Sequence, residues 1–284
     1  MRSIKKIHTA VSSPIADLIT YRALPTNSID HIDPFLFLNH HGYQEYPENN
    51  NGLPFGPHPH RGFETVTFIL KGDLTHKDSG GFESVIKAGG VQWMTAGKGL
   101  IHAEVSSEEF KKKGGELEIL QLWVNLPAKY KLTEPNYRGL QKEDIPQLKL
   151  DNGRVKISLV SGNWENKVGA FEPLNDIQMA TLEFAEGGKY SVEIPSERNI
   201  FFYVVKGKLH VNSEEAKMHN LVEFTNDGEK LEIEALEKSI LLLGHAAPFN
   251  EPIVAQGPFV MNSQEEIQQA FQDYQNGVFG NWNG

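Results

Sequence analysis

The sequence predicts an all-β protein: two tandem antiparallel barrels of the jelly-roll kind, closed by one short C-terminal helix. Three observations predict it. Between residues 58 and 126, runs of β-branched and aromatic residues are cut by glycine turns every few positions. The stretch Phe68-Ile69-Leu70-Lys71-Gly72-Asp73-Leu74 is echoed by Tyr203-Val204-Val205-Lys206-Gly207-Lys208-Leu209, so the design occurs twice. The tail carries the start, stripe and stop of a helix. The 284 residues suffice for about two domains. The expected division is residues 1–133 for a first barrel, 134–150 for a linker, and 151–284 for a second barrel with the helix.

In chain order, residues 3–24 alternate short apolar runs with polar turns and predict early strands. Asp33-Pro34-Phe35-Leu36-Phe37-Leu38 reads as a turn into a buried strand. His40 and His41 follow, and on a strand neighbours face opposite ways, so at most one could point inward. Both are expected in a loop, one of them near a pocket mouth. Residues 43–57, rich in Asn, Pro and Gly, read as a loop.

The next stretch carries the chemistry. It opens His58-Pro59-His60-Arg61-Gly62-Phe63-Glu64 and closes His102-Ala103-Glu104. Residues i and i+2 of a strand share a face, so His58 and His60 look one way, and His102 and Glu104 do the same. Two strands that each offer two such donors can hold a metal ion with nitrogen and oxygen ligands. Four protein ligands leave about two positions open on a six-coordinate ion. Glu64 has the same parity, unless Gly62 breaks the strand with a bulge. Burying three imidazoles and a carboxylate without a cation would leave costly polar groups unpaired. Between the two pairs, Thr65–Leu70, Leu74–His76 and Val91–Met94 predict strands, separated by turns at residues 71–73, 78–81 and 88–90.

After Glu104, the run Lys111-Lys112-Lys113 stands beside acids and reads as a solvated surface loop. Glu118–Leu126 predicts a strand buried on much of both faces. Aligning Gly72 with Gly207 puts Glu193 opposite His58, Pro195 opposite His60 and Asn199 opposite Glu64, so the second copy lacks the histidine pair. Gly244-His245-Ala246 loosely echoes the His102 region, and a lone histidine is more often structural. The second barrel is therefore expected to hold no metal. In the tail, Ser263-x-x-Glu266 predicts a capping box. Ile267, Ala270, Phe271 and Tyr274 form one apolar stripe, and Gly277 ends the helix.

Composition sets limits. A net charge of −10 argues against binding nucleic-acid backbones. Zero cysteines exclude disulfides and thiolate ligands. No apolar run approaches the ~20 residues of a membrane span. The basic Met1–Lys6 start lacks an apolar stretch behind it, so no signal peptide and a cytoplasmic setting are expected.

His-x-His, Glu64, Gly72 and Gly99-x-x-His102 together resemble the two-part cupin motif. The strings HPHRGFETVTF, VQWMTAGKGLIHAE, QLWVNLP and GPFVMN resemble the pirin family, and they span residues 58–262. The sequence departs from the general cupin pattern by one extra residue between Glu64 and Gly72, and by Gly97 where many cupins have proline. The resemblance implies a bicupin whose metal ligands are His58, His60, His102 and Glu104, with Glu64 an outer or structural carboxylate. It implies Fe(II), with Zn, Ni, Mn, Co or Cu also compatible with nitrogen and oxygen donors. It implies a quercetin 2,3-dioxygenase acting on a flavonol or related enol with O2, Glu104 taking the substrate's proton. Glu64 and His76 are the expected holders of the ligands' second nitrogens. The alternative it implies is a metal-containing, redox-sensing regulator that binds a protein partner.

Overall fold

In the computed structural model, which describes residues 1–282, the contacts gather into two compact units. One comprises residues 12–21, 37–143 and 249–282; the other comprises residues 1–11, 22–36 and 144–248. Each is a jelly-roll of one seven-stranded and one four-stranded sheet, with the antiparallel pairing that the short, glycine-punctuated runs predict.

The first unit's large sheet runs in the order Asn136–Leu140, Val91–Thr95, Phe63–Lys71, Gly115–Asn125, Phe35–Tyr46, Thr20–Leu24 and Val11–Ser12. Its small sheet runs Phe55–His60, Leu100–Val105, Asp73–Asp78 and Glu83–Lys87. Phe63–Lys71 is buried along most of its length, as expected of a β-branched run covered on both faces. Gly72 turns the chain at φ +78, and a Cβ there would meet the Glu116 carbonyl at 2.9 Å.

The second unit repeats the plan. Its large sheet runs Ile4–Thr9, Asn220–Phe224, Asn199–Lys206, Ser239–Ala246, Ile177–Phe184, Val155–Ser161 and Gln147–Leu150. Its small sheet runs Lys189–Glu193, Lys230–Ala235, Lys208–Val211 and Glu214–Lys217. Valine, leucine, isoleucine and phenylalanine side chains fill the space between them.

Several expectations change. The contact units are not contiguous blocks 1–133 and 151–284. Ile4–Thr9 pairs with Asn220–Phe224 as an edge strand of the second unit. Residues 249–282 pack with the first unit, and Asn283 and Gly284 lie outside the described residues. The expected linker is not a free segment: Asn136–Leu140 pairs with Val91–Thr95, and Gln147–Leu150 pairs with Val155–Ser161. An edge strand is recruited by whichever sheet offers an unpaired row of backbone groups, and local composition does not report that.

His40 and His41 lie on the twelve-residue Phe35–Tyr46 strand and not in a loop, and both are buried. The strand is central in its sheet and covered on both faces, so adjacent side chains can both be inside. His40 Nε2 meets Glu118 Oε1 at 3.1 Å, and His41 Nδ1 meets Thr20 Oγ1 at 2.9 Å. The lysine run belongs to a short helix, Glu108–Lys113, capped by the Ser107 hydroxyl, with Lys111 on Glu108 and Lys113 on Glu109.

The tail helix spans Gln264–Gln275 with the full capping box of Ser263 and Glu266. Ile267 and Ala270 are buried, while Tyr274 is exposed. No helix among the described residues is long and apolar enough to cross a membrane.

Candidate metal centre

Antiparallel register brings the two histidine-bearing strands together. Phe55–His60 pairs with Leu100–Val105 so that His102 faces His58 and Leu100 faces His60. The ring centroids of His58 and His102 are 4.4 Å apart, those of His60 and His102 5.0 Å, and those of His58 and His60 4.8 Å. One ring nitrogen from each lies within 4.8 Å of the others.

Their protonation suits ligation. His58 Nδ1 donates to the Gly56 carbonyl at 2.7 Å, and His60 Nδ1 donates to the Pro258 carbonyl at 3.2 Å. Each ring therefore keeps Nε2 as its lone-pair nitrogen. Burial, with His58 beside it, pushes the His60 pKa down to about 3. His102 is also pushed well below its usual value, first by burial and then by the neighbouring histidines. Both rings are thus neutral at ordinary pH.

His102 is fully buried, and neither of its ring nitrogens has a hydrogen-bond partner. An unsatisfied buried polar atom costs about 1–3 kcal/mol. The three histidines fit a metal ion: a cation here would meet neutral nitrogen donors and satisfy His102.

Glu104 is buried at the same strand but is not in this group of donor atoms. The strand pairing shifts between His102 and Glu104, which places Glu104 against Phe55 on one side and His76 on the other. Its carboxylate sits in a cage of neutral donors. Oε1 accepts from Thr67 Oγ1 at 3.2 Å and from Gln92 Nε2 at 2.5 Å, and Oε2 accepts from Gln121 Nε2 at 2.5 Å. The amides are themselves oriented: Tyr137 Oη donates to Gln92 Oε1 at 3.0 Å, and Trp123 Nε1 to Gln121 Oε1 at 3.4 Å. A carboxylate has about four lone-pair sites, so this cage leaves one, on Oε2.

The other sequence candidates stand apart. Glu64 accepts from Thr95 Oγ1 at 2.7 Å, and burial pushes its carboxyl up to about 7 against hydrogen bonding from Thr95 and Trp93. His76 bonds Asp78 through Nε2 at 2.9 Å and stacks on Tyr137 with ring centroids 3.8 Å apart. Neither bonds one of the three clustered histidines; two backbone carbonyls do, and a carbonyl carries no side-chain signature. Beside His60, Trp123 stacks with Phe37 at 4.5 Å and lies 4.3 Å from Phe63. Sequence reasoning missed Gln92, Gln121 and Tyr137. For Gln92 and Gln121 the one available signal was strand parity within Val91–Met94 and Glu118–Leu126, and Tyr137, in the expected linker, had none.

Comparison with known proteins supplies a family. The Pirin family model matches residues 17–124, and the model of the pirin C-terminal cupin domain matches residues 179–280. A Pseudomonas aeruginosa protein named "putative quercetin 2,3-dioxygenase" is 36% identical over 94% of this chain and 92% of its own. A pirin-like protein of Solanum lycopersicum is 34% identical over 98% of this chain and 92% of its own. The crystal structure of a quercetin 2,3-dioxygenase from Acinetobacter baumannii matches with a TM-score of 0.91 and 32% identity over 99% of each chain.

Proposed function

The chain belongs to the pirin family, and we propose on that premise that it is a metal-dependent dioxygenase that opens a flavonol or related enol with O2. The observation that carries the reading is His102: a fully buried imidazole with no hydrogen-bond partner at either nitrogen, beside two histidines whose Nε2 lone pairs are kept free. The relatives named for quercetin 2,3-dioxygenase activity support the substrate class.

His58, His60 and His102 would hold the metal, with Fe(II) our first assignment and Glu104 as fourth ligand or base. A bound ion of this kind lowers the pKa of an enol hydroxyl and brings O2 beside it. The remaining work falls to the chain. Thr67, Gln92 and Gln121 hold the Glu104 carboxylate in one orientation, which leaves a lone pair of Oε2 to take the proton of the flavonol 3-hydroxyl. That lone pair can take a metal or a proton but not both at once, so Glu104 would serve as ligand or as base at any one time. Trp123 and Phe37, both half-buried, offer a flat apolar face beside His60 for a planar substrate. Opening the central ring then releases carbon monoxide.

The test is aerobic turnover of quercetin by Fe(II)-loaded protein, following flavonol absorbance and O2 uptake together, with His102→Ala as control. Matched consumption, absent in the variant, is the expected result. Iron bound without turnover would overturn the reading and turn attention to a partner-binding role.

A further inference from the structure

The far end of the chain grips the metal strand. The Pro258 carbonyl accepts from His60 Nδ1 at 3.2 Å and also from the Arg61 amide at 3.4 Å. Val260 N donates back to the Arg61 carbonyl at 3.0 Å, so Phe259–Met261 runs beside Arg61 as a short parallel bridge. At Gly62 the two backbones nearly touch: a Cβ there would lie 2.0 Å from the Val260 carbonyl oxygen. Only glycine fits, and it turns at φ +86.

Two buried cations close the seam. Lys131 Nζ donates to the Gly62 carbonyl at 2.9 Å, the Val260 carbonyl at 3.0 Å and Asn125 Oδ1 at 2.8 Å. Arg61 donates through Nε to the Lys98 carbonyl at 2.6 Å and through Nη1 to Asp273 Oδ2, on the tail helix, at 2.7 Å. Its guanidinium lies 4.6 Å from the centre of the Phe279 ring. Phe279 in turn packs where a Cβ of Gly99 would be, three residues before His102. Phe259, Met261, Ile267, Ala270 and Phe279 form their own apolar cluster under this seam.

We propose that the segment from Gly257 to Gly280 is a positioning strap for the metal site, which sets the tautomer and ring orientation of His60 through the Pro258 carbonyl and is anchored by the Arg61–Asp273 pair. A histidine ligand whose second nitrogen loses its partner costs about 10–100-fold in metal affinity. The strap carries no ligand itself, so its effect reaches the metal through the histidines it positions, His60 first. The proposal rests on metal binding at the three histidines and not on the reaction catalysed there.

The experiment is a competition titration of the full chain with Zn(II), at a temperature where circular dichroism shows every variant folded. Asp273→Asn and Phe279→Ala are expected to weaken Zn(II) binding about tenfold. Ser239→Ala, which removes hydrogen bonds to Lys208 in the other unit and lies outside the strap, is expected to lower Tm and leave affinity unchanged. Unchanged affinity in Asp273→Asn and Phe279→Ala, or an equal loss in Ser239→Ala, would overturn the strap. Zn(II) failing to bind the unmodified chain would instead overturn the metal centre. Should the variants not fold, long-range 1H–15N NMR of the unmodified metal-free chain decides. A His60 proton on Nδ1, slow to exchange, is expected, and a proton on Nε2 would overturn the proposal.

Discussion

The two small sheets share one strand order, with a register shift between His102 and Glu104 in the first only, and their interiors differ completely. In the first, His102 pairs with His58, and Glu104 with His76. In the second, Leu231 pairs with Val192, and Ile233 with Val211. The Ile194 amide bonds the Glu229 carbonyl where, in the first unit, Leu100 faces His60. Position for position, His58, His60, His102 and Glu104 become Val192, Ile194, Leu231 and Ile233. The apolar set needs only packing. The polar set leaves His102 without a partner and holds Glu104 in a cage of three donors. The same scaffold tolerates either solution, and the costly one stands where a ligand can offset it.

The glycine alignment named Glu193 and Pro195 as the counterparts, one residue off. His60 precedes Gly72 by 12 residues and Ile194 precedes Gly207 by 13, so the inward face is shifted by one. His245 is not a counterpart of His102 either. It lies on Ser239–Ala246, in the large sheet, and its Nδ1 accepts from Arg198 Nε at 2.7 Å. Arg198 also pairs with Asp176. His245 is thus satisfied by an arginine of its own unit.

The most severe way to break the contrast is to copy one interior onto the other. His58→Val, His60→Ile, His102→Leu and Glu104→Ile combined should abolish metal binding in a competition titration. His102→Leu alone should raise the stability of the metal-free fold by roughly 1–3 kcal/mol in urea unfolding, because an unsatisfied buried group is gone. A loss of metal-free stability would show that the histidines are not the strained element. Metal removal from the unmodified chain comes next. A chelator should lower Tm, since an ion at about 100 times its Kd stabilises by about 2.7 kcal/mol, and the four-fold variant should show no such shift.

A smaller effect tests the cage. Gln92→Leu removes one donor to Glu104 and should lower kcat/KM for quercetin about tenfold, while the affinity for the metal falls less. Equal losses in both would make Glu104 a ligand first and a base second.

A further test is in pH. His60 and His245 both have pKa values near 3 in the folded chain, His60 through burial beside His58 and His245 through burial beside Arg198. Each lies below the ~6.5 of a free histidine. The unfolded chain therefore binds more protons, and metal-free stability should fall as pH drops from about 6.5 toward 3. Metal should protect the shares of His60 and of His102, whose pKa is also depressed, and leave the His245 share. Leu at position 245 should remove the other share, read as a shallower acid limb in urea unfolding.

Much was legible from local pattern. The β-branched runs and glycine turns gave the strands around Phe63–Lys71, and parity gave the shared face of His58 and His60. The capping box gave the tail helix at Gln264–Gln275. Each of these depends on residues a few positions apart, where backbone geometry is set by neighbours. His40 and His41 were misread because their burial comes from flanking strands rather than from their own segment.

What the sequence by itself determined is therefore the element types, the repeated barrel and the histidines that cluster. Only the tertiary structure decided which groups orient those side chains and Glu104. Pro258 holds His60 across 198 residues of chain, Gln92 and Gln121 from separate strands hold Glu104, and Ile4–Thr9 completes the sheet of the other barrel. These contacts follow from strand register and from the path of the chain. Backbone carbonyls and edge amides are the same at every residue, so no local pattern can mark the ones that will meet.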